Sequence, residues 1–143
     1  MKEEHSAAAV VYHNRKFLLL KYEMGHWGFV KGNIEKGESK KETILRELKE
    51  ETSIEDAKII EGFQEKFDYY YKWEGKLIHK QVDCYLIKSG TENVELSYEH
   101  SDYAWLSYEN AMKRLSHDNT KKILEKVNKF LKSRLDHYMT NHI

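Results

Sequence analysis

The chain contains no proline, so no turn can use its fixed φ and every reversal falls to Gly, Asn, Asp or Ser. Its one cysteine, Cys84, excludes an internal disulfide and suits a reducing compartment; a small buried thiol in an alternating stretch is the plain reading. No apolar run approaches the roughly 18 residues that a membrane helix needs, and Met1 to Val10 lacks the long apolar centre of a signal peptide. A cytoplasmic protein with no membrane partner is therefore expected. Net charge is lacking as well: 24 acidic and 24 basic side chains cancel, so no overall field draws the molecule towards nucleic acid. The sequence shows no repeat, low-complexity tract or linker. With 143 residues, 40% of them hydrophobic, it implies a single domain over 1–143 with its own packed core.

Against these absences stand clear element signals. Ala7 to Tyr12 and Lys16 to Tyr22 are β-rich runs around Asn14, a hairpin pattern. Gly25, Gly28 and Gly32 punctuate "GHWGFVKGN", which reads as a loop anchored by Trp27 and Phe29. Ser39 followed by Glu42 is a capping box that opens a helix to about Thr52. Further strands are expected over Ala57 to Tyr71 with an irregularity, Leu77 to Lys88, Val94 to Leu96 and Tyr103 to Leu106. A short helix should follow from Ser107 to Leu115. A longer one should run from about Asn119 to Leu135, with Ile123, Leu124, Val127, Phe130, Leu131 and Leu135 at helical spacing. Strands with a helix between them and helices at the end imply an α/β sandwich, helices covering both faces of a mixed sheet.

The segment "GNIEKGESKKETILRELKEETSI" carries the chemistry. On its helix Ile44, Leu45 and Leu48 form one stripe, and Glu47, Glu50 and Glu51 occupy an adjoining arc as i, i+3 and i+4 neighbours. Like charges so placed repel unless something positive offsets them. Lys40, Lys41, Arg46 and Lys49 could do so on a solvated face; a hard divalent cation could do so in a site, since oxygen-only ligands suit magnesium or manganese. The glutamates alone leave both readings open.

The surrounding spacing resembles the Nudix box, whose pattern runs G, five residues, E, seven residues, R-E-U, one residue, E-E, one residue, G-U, with U aliphatic. Every defined position but one is met: Gly32, Glu38, Arg46, Glu47, Leu48, Glu50, Glu51 and Ile54. The exception is Ser53, where the family has a glycine that commonly takes a left-handed conformation. The resemblance implies a Nudix-type α/β/α sandwich and a hydrolase of nucleoside diphosphates linked to another group, dependent on Mg2+ with Mn2+ as a substitute. Carried over residue by residue, it makes Glu47, Glu50 and Glu51 metal ligands, joined by the Lys31 backbone carbonyl and by Glu99. Glu47, Glu50 or Glu99 would act on the attacking water. Arg46 would orient a glutamate, and Glu38 would support the loop.

"HWGFVKGNIEKGE" further resembles the entry segment of the asymmetrical diadenosine tetraphosphate hydrolases, with Val30 in place of a proline, and "IIEGF" and "LSYEHSDYAWLSYENA" resemble the same branch. This implies a small-molecule substrate, a dinucleoside polyphosphate. Tyr69, on one strand face with Tyr71, is the expected adenine platform; Lys31, Lys80 and His26 are expected phosphate contacts. His100, Trp27 and Trp105 are assigned to packing. Two alternatives stay open: a pyrophosphohydrolase of RNA 5′ ends or of another nucleotide such as a nucleoside triphosphate or nucleotide sugar, and a catalytically silent nucleotide-sensing module. Zero net charge argues against long nucleic acid, although an RNA 5′ end remains compatible.

Overall fold

The computed structural model describes the backbone of residues 1–142 and the side chains of residues 1–134. β1 (Lys2–His13) and β2 (Lys16–Tyr22) form the expected hairpin. Asn14 and Arg15 both sit at positive φ, 48° and 66°, the left-handed pair whose twist matches that of the flanking strands.

The glycine-punctuated segment is more ordered than a loop. It holds β3 (Trp27–Gly28), paired with β2, and β4 (Val30–Asn33), paired with β1 from Ser6↔Asn33 to Ala9↔Val30. Of its three glycines only Gly25 uses a positive φ, 98°, so the chain turns there and then runs extended. α1 (Lys40–Thr52) starts at Ser39, whose side chain accepts from the Glu42 amide while Glu42 accepts from the Ser39 amide.

The single strand expected over 57–71 is split into β5 (Ala57–Ile59) and β6 (Glu65–Trp73), because the chain turns at Gly62 with φ 95°. β7 (Lys76–Ser89) is the central strand. It pairs in parallel with β1 from Lys2↔Ile78 to Tyr12↔Lys88, and antiparallel with β5 and β6. No strand forms over Val94 to Leu96. Its backbone bonds run to the end of α1 instead, from the Glu95 amide to the Thr52 carbonyl at 2.9 Å and from the Ser97 amide to the Glu51 carbonyl at 3.2 Å. β8 (His100–Leu106) pairs with β2, and α2 (Tyr108–Arg114) and α3 (Asp118–His142) close the chain. The Leu135 side chain lies outside the described residues.

One mixed, eight-stranded sheet therefore carries α1 on one face and α2 with α3 on the other. Alternation along β1 divides the core: Ala7, Ala9 and Val11 meet Ile44 and Leu48 of α1, while Ala8 and Val10 meet Leu124 and Val127 of α3. Ile44 and Leu48 are fully buried, worth about 1.5–3 kcal/mol each in removing apolar surface from water. Leu45, expected on that stripe, is 41% exposed; Thr43, Glu51 and Thr52 are buried there instead. Burial pushes the Cys84 thiol up to about 12, which makes it an inert core residue. Among the described residues no helix is long and apolar enough to cross a membrane.

Candidate active site

Arg46 is the hub of the α1 end of the site. Its Nε and Nη2 donate to the two carboxylate oxygens of Glu38 at 2.6 and 3.0 Å, a bidentate pair. Nη1 donates to Glu47 at 2.7 Å and to Glu50 at 3.1 Å, and Nη2 also reaches the Asn33 carbonyl at 3.1 Å. Arg46, with the Thr43 hydroxyl, holds the Glu38 carboxyl down at about 2. Glu38 is thus ionised throughout the physiological range and ties the entry loop to the helix.

The backbone before α1 leaves room for these groups. A β-carbon on Gly32 would stand 2.1 Å from Cδ of Glu47, so only glycine lets that carboxylate lie across β4. Glu51 is 2% exposed and neither of its carboxylate oxygens has a hydrogen-bond partner. His100 Nε2 approaches to 3.3 Å, close enough for an ion pair but not aligned as a hydrogen bond. Burial first, then the adjacent Glu47 and the Glu99 charge, push the Glu51 carboxyl up to about 10, opposed in part by the Lys31 backbone. Glu99 stands exposed in the loop before β8, near enough to act on both Glu51 and Tyr22.

Beside this end opens a cavity of about 580 Å³, lined by Tyr22, His26, Lys31, Phe67, Tyr69 and Lys80 among others. All four side chains expected to meet substrate border it. Lys31 joins the two regions: its backbone lies by Glu51, and its Nζ donates to the Tyr69 hydroxyl at 2.9 Å. Tyr69 stacks with Phe67 at 6.2 Å and leans on Tyr71 at 6.1 Å, so the aromatic row shares one face as strand alternation requires. Lys80 is 8% exposed, and its ammonium is turned to Asn33 Oδ1 at 2.6 Å and Glu4 at 3.3 Å. His26 stacks on Tyr22 at 4.6 Å, and burial with the nearby His117 and Lys31 charges lowers its basicity. Trp27 packs under the Arg114 guanidinium at 4.8 Å, and Trp105 donates to the Glu92 carbonyl at 3.0 Å; both serve packing.

A family model described as the NUDIX domain matches residues 3–127. The chain belongs to the Nudix family. Its sequence is 38% identical over 122 residues to the asymmetrical bis(5'-nucleosyl)-tetraphosphatase of Mus musculus, covering 81% of this chain and 80% of that one. An RNA pyrophosphohydrolase of Campylobacter jejuni is 32% identical over 119 residues, covering 76% and 74%. The crystal structure of a binary complex of the C. elegans Ap4A hydrolase superposes with a TM-score of 0.80 at 31% identity, covering 91% of this chain and 98% of that one.

The donor set of this Nudix chain fits a divalent cation. Four carboxylates offer oxygen only, and one of them, Glu51, is buried with both oxygens unpartnered beside another carboxylate, an arrangement a cation would relieve. Among the described residues no three His, Cys, Asp or Glu side chains already converge at ligating distance; Arg46 gathers Glu47 and Glu50, and Glu51 faces His100. Two wall residues of this Nudix cavity, Tyr22 and His117, carried no sequence signal. Tyr22 ends a strand and His117 sits between two helices, and only the fold brings His117 within 5.5 Å of His26.

Proposed function

We propose that this chain is a single-domain, magnesium-dependent hydrolase that cleaves diadenosine tetraphosphate to ATP and AMP in the cytoplasm. One observation carries the reading: a buried, unpartnered carboxylate on the box helix lies beside a lysine- and tyrosine-lined cavity, with Lys31 common to both. The likeness to the mouse tetraphosphatase supports the substrate class.

Glu47, Glu50, Glu51, Glu99 and the Lys31 carbonyl would hold the ion, which supplies neutralising charge at the phosphate oxygens and lowers the pKa of water. Manganese would substitute. Glu47, or Glu50 or Glu99 after it, takes the proton from the water as its oxygen bonds to phosphorus and the anhydride P–O bond breaks. Arg46 keeps Glu47 and Glu50 aimed without touching substrate. Tyr69 offers one adenine a stacking face worth about 1–3 kcal/mol, and Lys31 and His26 face the phosphates. Lys80 reaches them by leaving Glu4. A position behind this wall gives Glu4 a supporting part: it accepts from both Tyr71 and Lys80.

The test is incubation with diadenosine tetraphosphate and magnesium in heavy-oxygen water, followed by chromatography and mass spectrometry. ATP plus AMP, lost on chelation and in Glu50→Gln, is the expected result. Faster release of pyrophosphate from a triphosphorylated oligonucleotide would move the assignment to RNA 5′ ends. Nucleotide binding with no turnover of any substrate would make the chain a sensor.

A further inference from the structure

Among the described residues β6 pairs with β7 alone, from Glu65↔Cys84 to Trp73↔Lys76, so its outer edge has no neighbouring strand. An edge of this length presents backbone N–H and C=O groups ready to pair, and natural edges are commonly blunted with lysine. β6 carries Lys66 and Lys72, yet Lys72 has a complement, Asp68, on the same strand. Let two copies of β6 run antiparallel about a two-fold axis at Tyr70. Asp68 then stands opposite the partner's Lys72, a pair that occurs twice by symmetry, with 67–73 of each copy in register.

Neighbouring registers that keep the same faces together fail on charge or on length. An axis at Tyr69 sets Lys66 against the partner's Lys72, and an axis at Tyr71 keeps only 69–73 of each copy paired and takes Asp68 away from Lys72. The Tyr70 register is also the one that aligns Tyr69 with the partner's Tyr71 and Phe67 with the partner's Trp73, on the cavity face. Tyr70 and Trp73 are 56% and 64% exposed in the isolated chain, an unusual display for two aromatics on one strand.

We propose that the β6 edge is a homodimer interface: a second copy of this chain adds its β6 antiparallel, centred on Tyr70. The two sheets join into one, and the aromatic wall of each cavity is extended by the partner's Tyr71 and Trp73. This holds whether or not the proposed substrate is correct.

Sedimentation velocity on the full chain tests it. The expected result is a rise from the 17.1 kDa monomer towards twice that mass within a range up to about 500 µM, on the scale of weak specific contacts. Asp68→Lys and Lys72→Asp should each weaken association at least about tenfold while the circular dichroism spectrum stays native, and the combined swap should restore it, since the pairs reform with reversed sign. Because Asp68 also meets His79 at 2.7 Å, Lys72→Asp is the cleaner single variant. A wild type that stays monomeric throughout, single variants that associate as the wild type does, or a swap that fails to restore association would each overturn the proposal.

Discussion

The carboxylate end of the site and its aromatic end are assembled by different means. Around α1, Arg46 spends its guanidinium on Glu38, Glu47, Glu50 and the Asn33 carbonyl, and Gly32 clears the space that Glu47 occupies. Glu38 is held by several directional bonds, and Glu47 and Glu50 by one each from the same guanidinium, so moving Arg46 disturbs all three. Along β6, Tyr69 is held by one hydrogen bond from Lys31 and by aromatic neighbours whose ring centroids lie 6.1 and 6.2 Å away, contacts that tolerate sliding. The difference fits the work proposed for each end: aiming water at phosphorus would require fixed oxygens, whereas seating a base would require only a flat face.

If that contrast is right, the largest loss should come from a single methyl group on the rigid side. Gly32→Ala drives Glu47 from its place and should lower kcat by about 100-fold or more while the fold persists, since misplacing a catalytic group by about 1 Å costs on that scale. Steady-state kinetics with a thermal melt checks it; near-wild-type kcat would show that Glu47 is not held there for catalysis. On the tolerant side, Tyr69→Leu should raise KM about tenfold and leave kcat within a few-fold, the loss of one stacking contact. A fall in kcat without a change in KM would erase the distinction between the two ends.

The pH dependence of stability sharpens the comparison further, because the rigid end holds a buried carboxylate with no hydrogen-bond partner. The folded value for Glu51, about 10, lies above its ordinary 4.5, so the folded chain retains a proton that the unfolded chain has lost. In metal-free protein that contribution is full below about 4.5 and is lost as pH rises towards about 10. Melting temperature should therefore decline across this window without magnesium, less so with it, and Glu51→Gln should flatten the metal-free profile. Matching profiles for wild type and variant would count against a buried carboxylate pair. The smallest expected effect is at the helix end: Ser53 is held at φ 66°, and Ser53→Gly should add about 1 kcal/mol in a denaturant titration with activity unchanged.

Much of the rigid end was legible in the sequence because it is local. The capping box at Ser39, the carboxylate arc and the left-handed position of Ser53 all lie within one loop, helix and turn, where spacing translates directly into geometry. Other readings failed where a distant partner decided. Leu45 belongs to the apolar stripe by periodicity, but β1 and β7 pass under Ile44 and Leu48 and leave it exposed. Val94 to Leu96 has strand composition, yet Thr52 and Glu51 offered carbonyls nearer than any sheet edge. Two strands stood where Trp27 to Asn33 read as loop, since neither Gly28 nor Gly32 turns the chain and Gly32 serves close approach.

By itself, then, the order of residues determined the box helix, its ion-paired supports, the central alternating strands and the family, because each depends on contacts a few residues apart or on a long, specific spacing. The cavity was decided by tertiary structure alone. Lys31, Tyr69, Lys80, His26 and His117 come from separate strands, a loop and a helix junction, and nothing in their spacing states that parallel pairing of β1 with β7 will set them around one space. The burial of Glu51 was decided there too: a helical wheel places it beside the apolar stripe, but only the packing of α1 against β4, Tyr22 and His100 removes it from water. Whether a carboxylate is solvated or stranded depends on what covers it, and that cover comes from elsewhere in the chain.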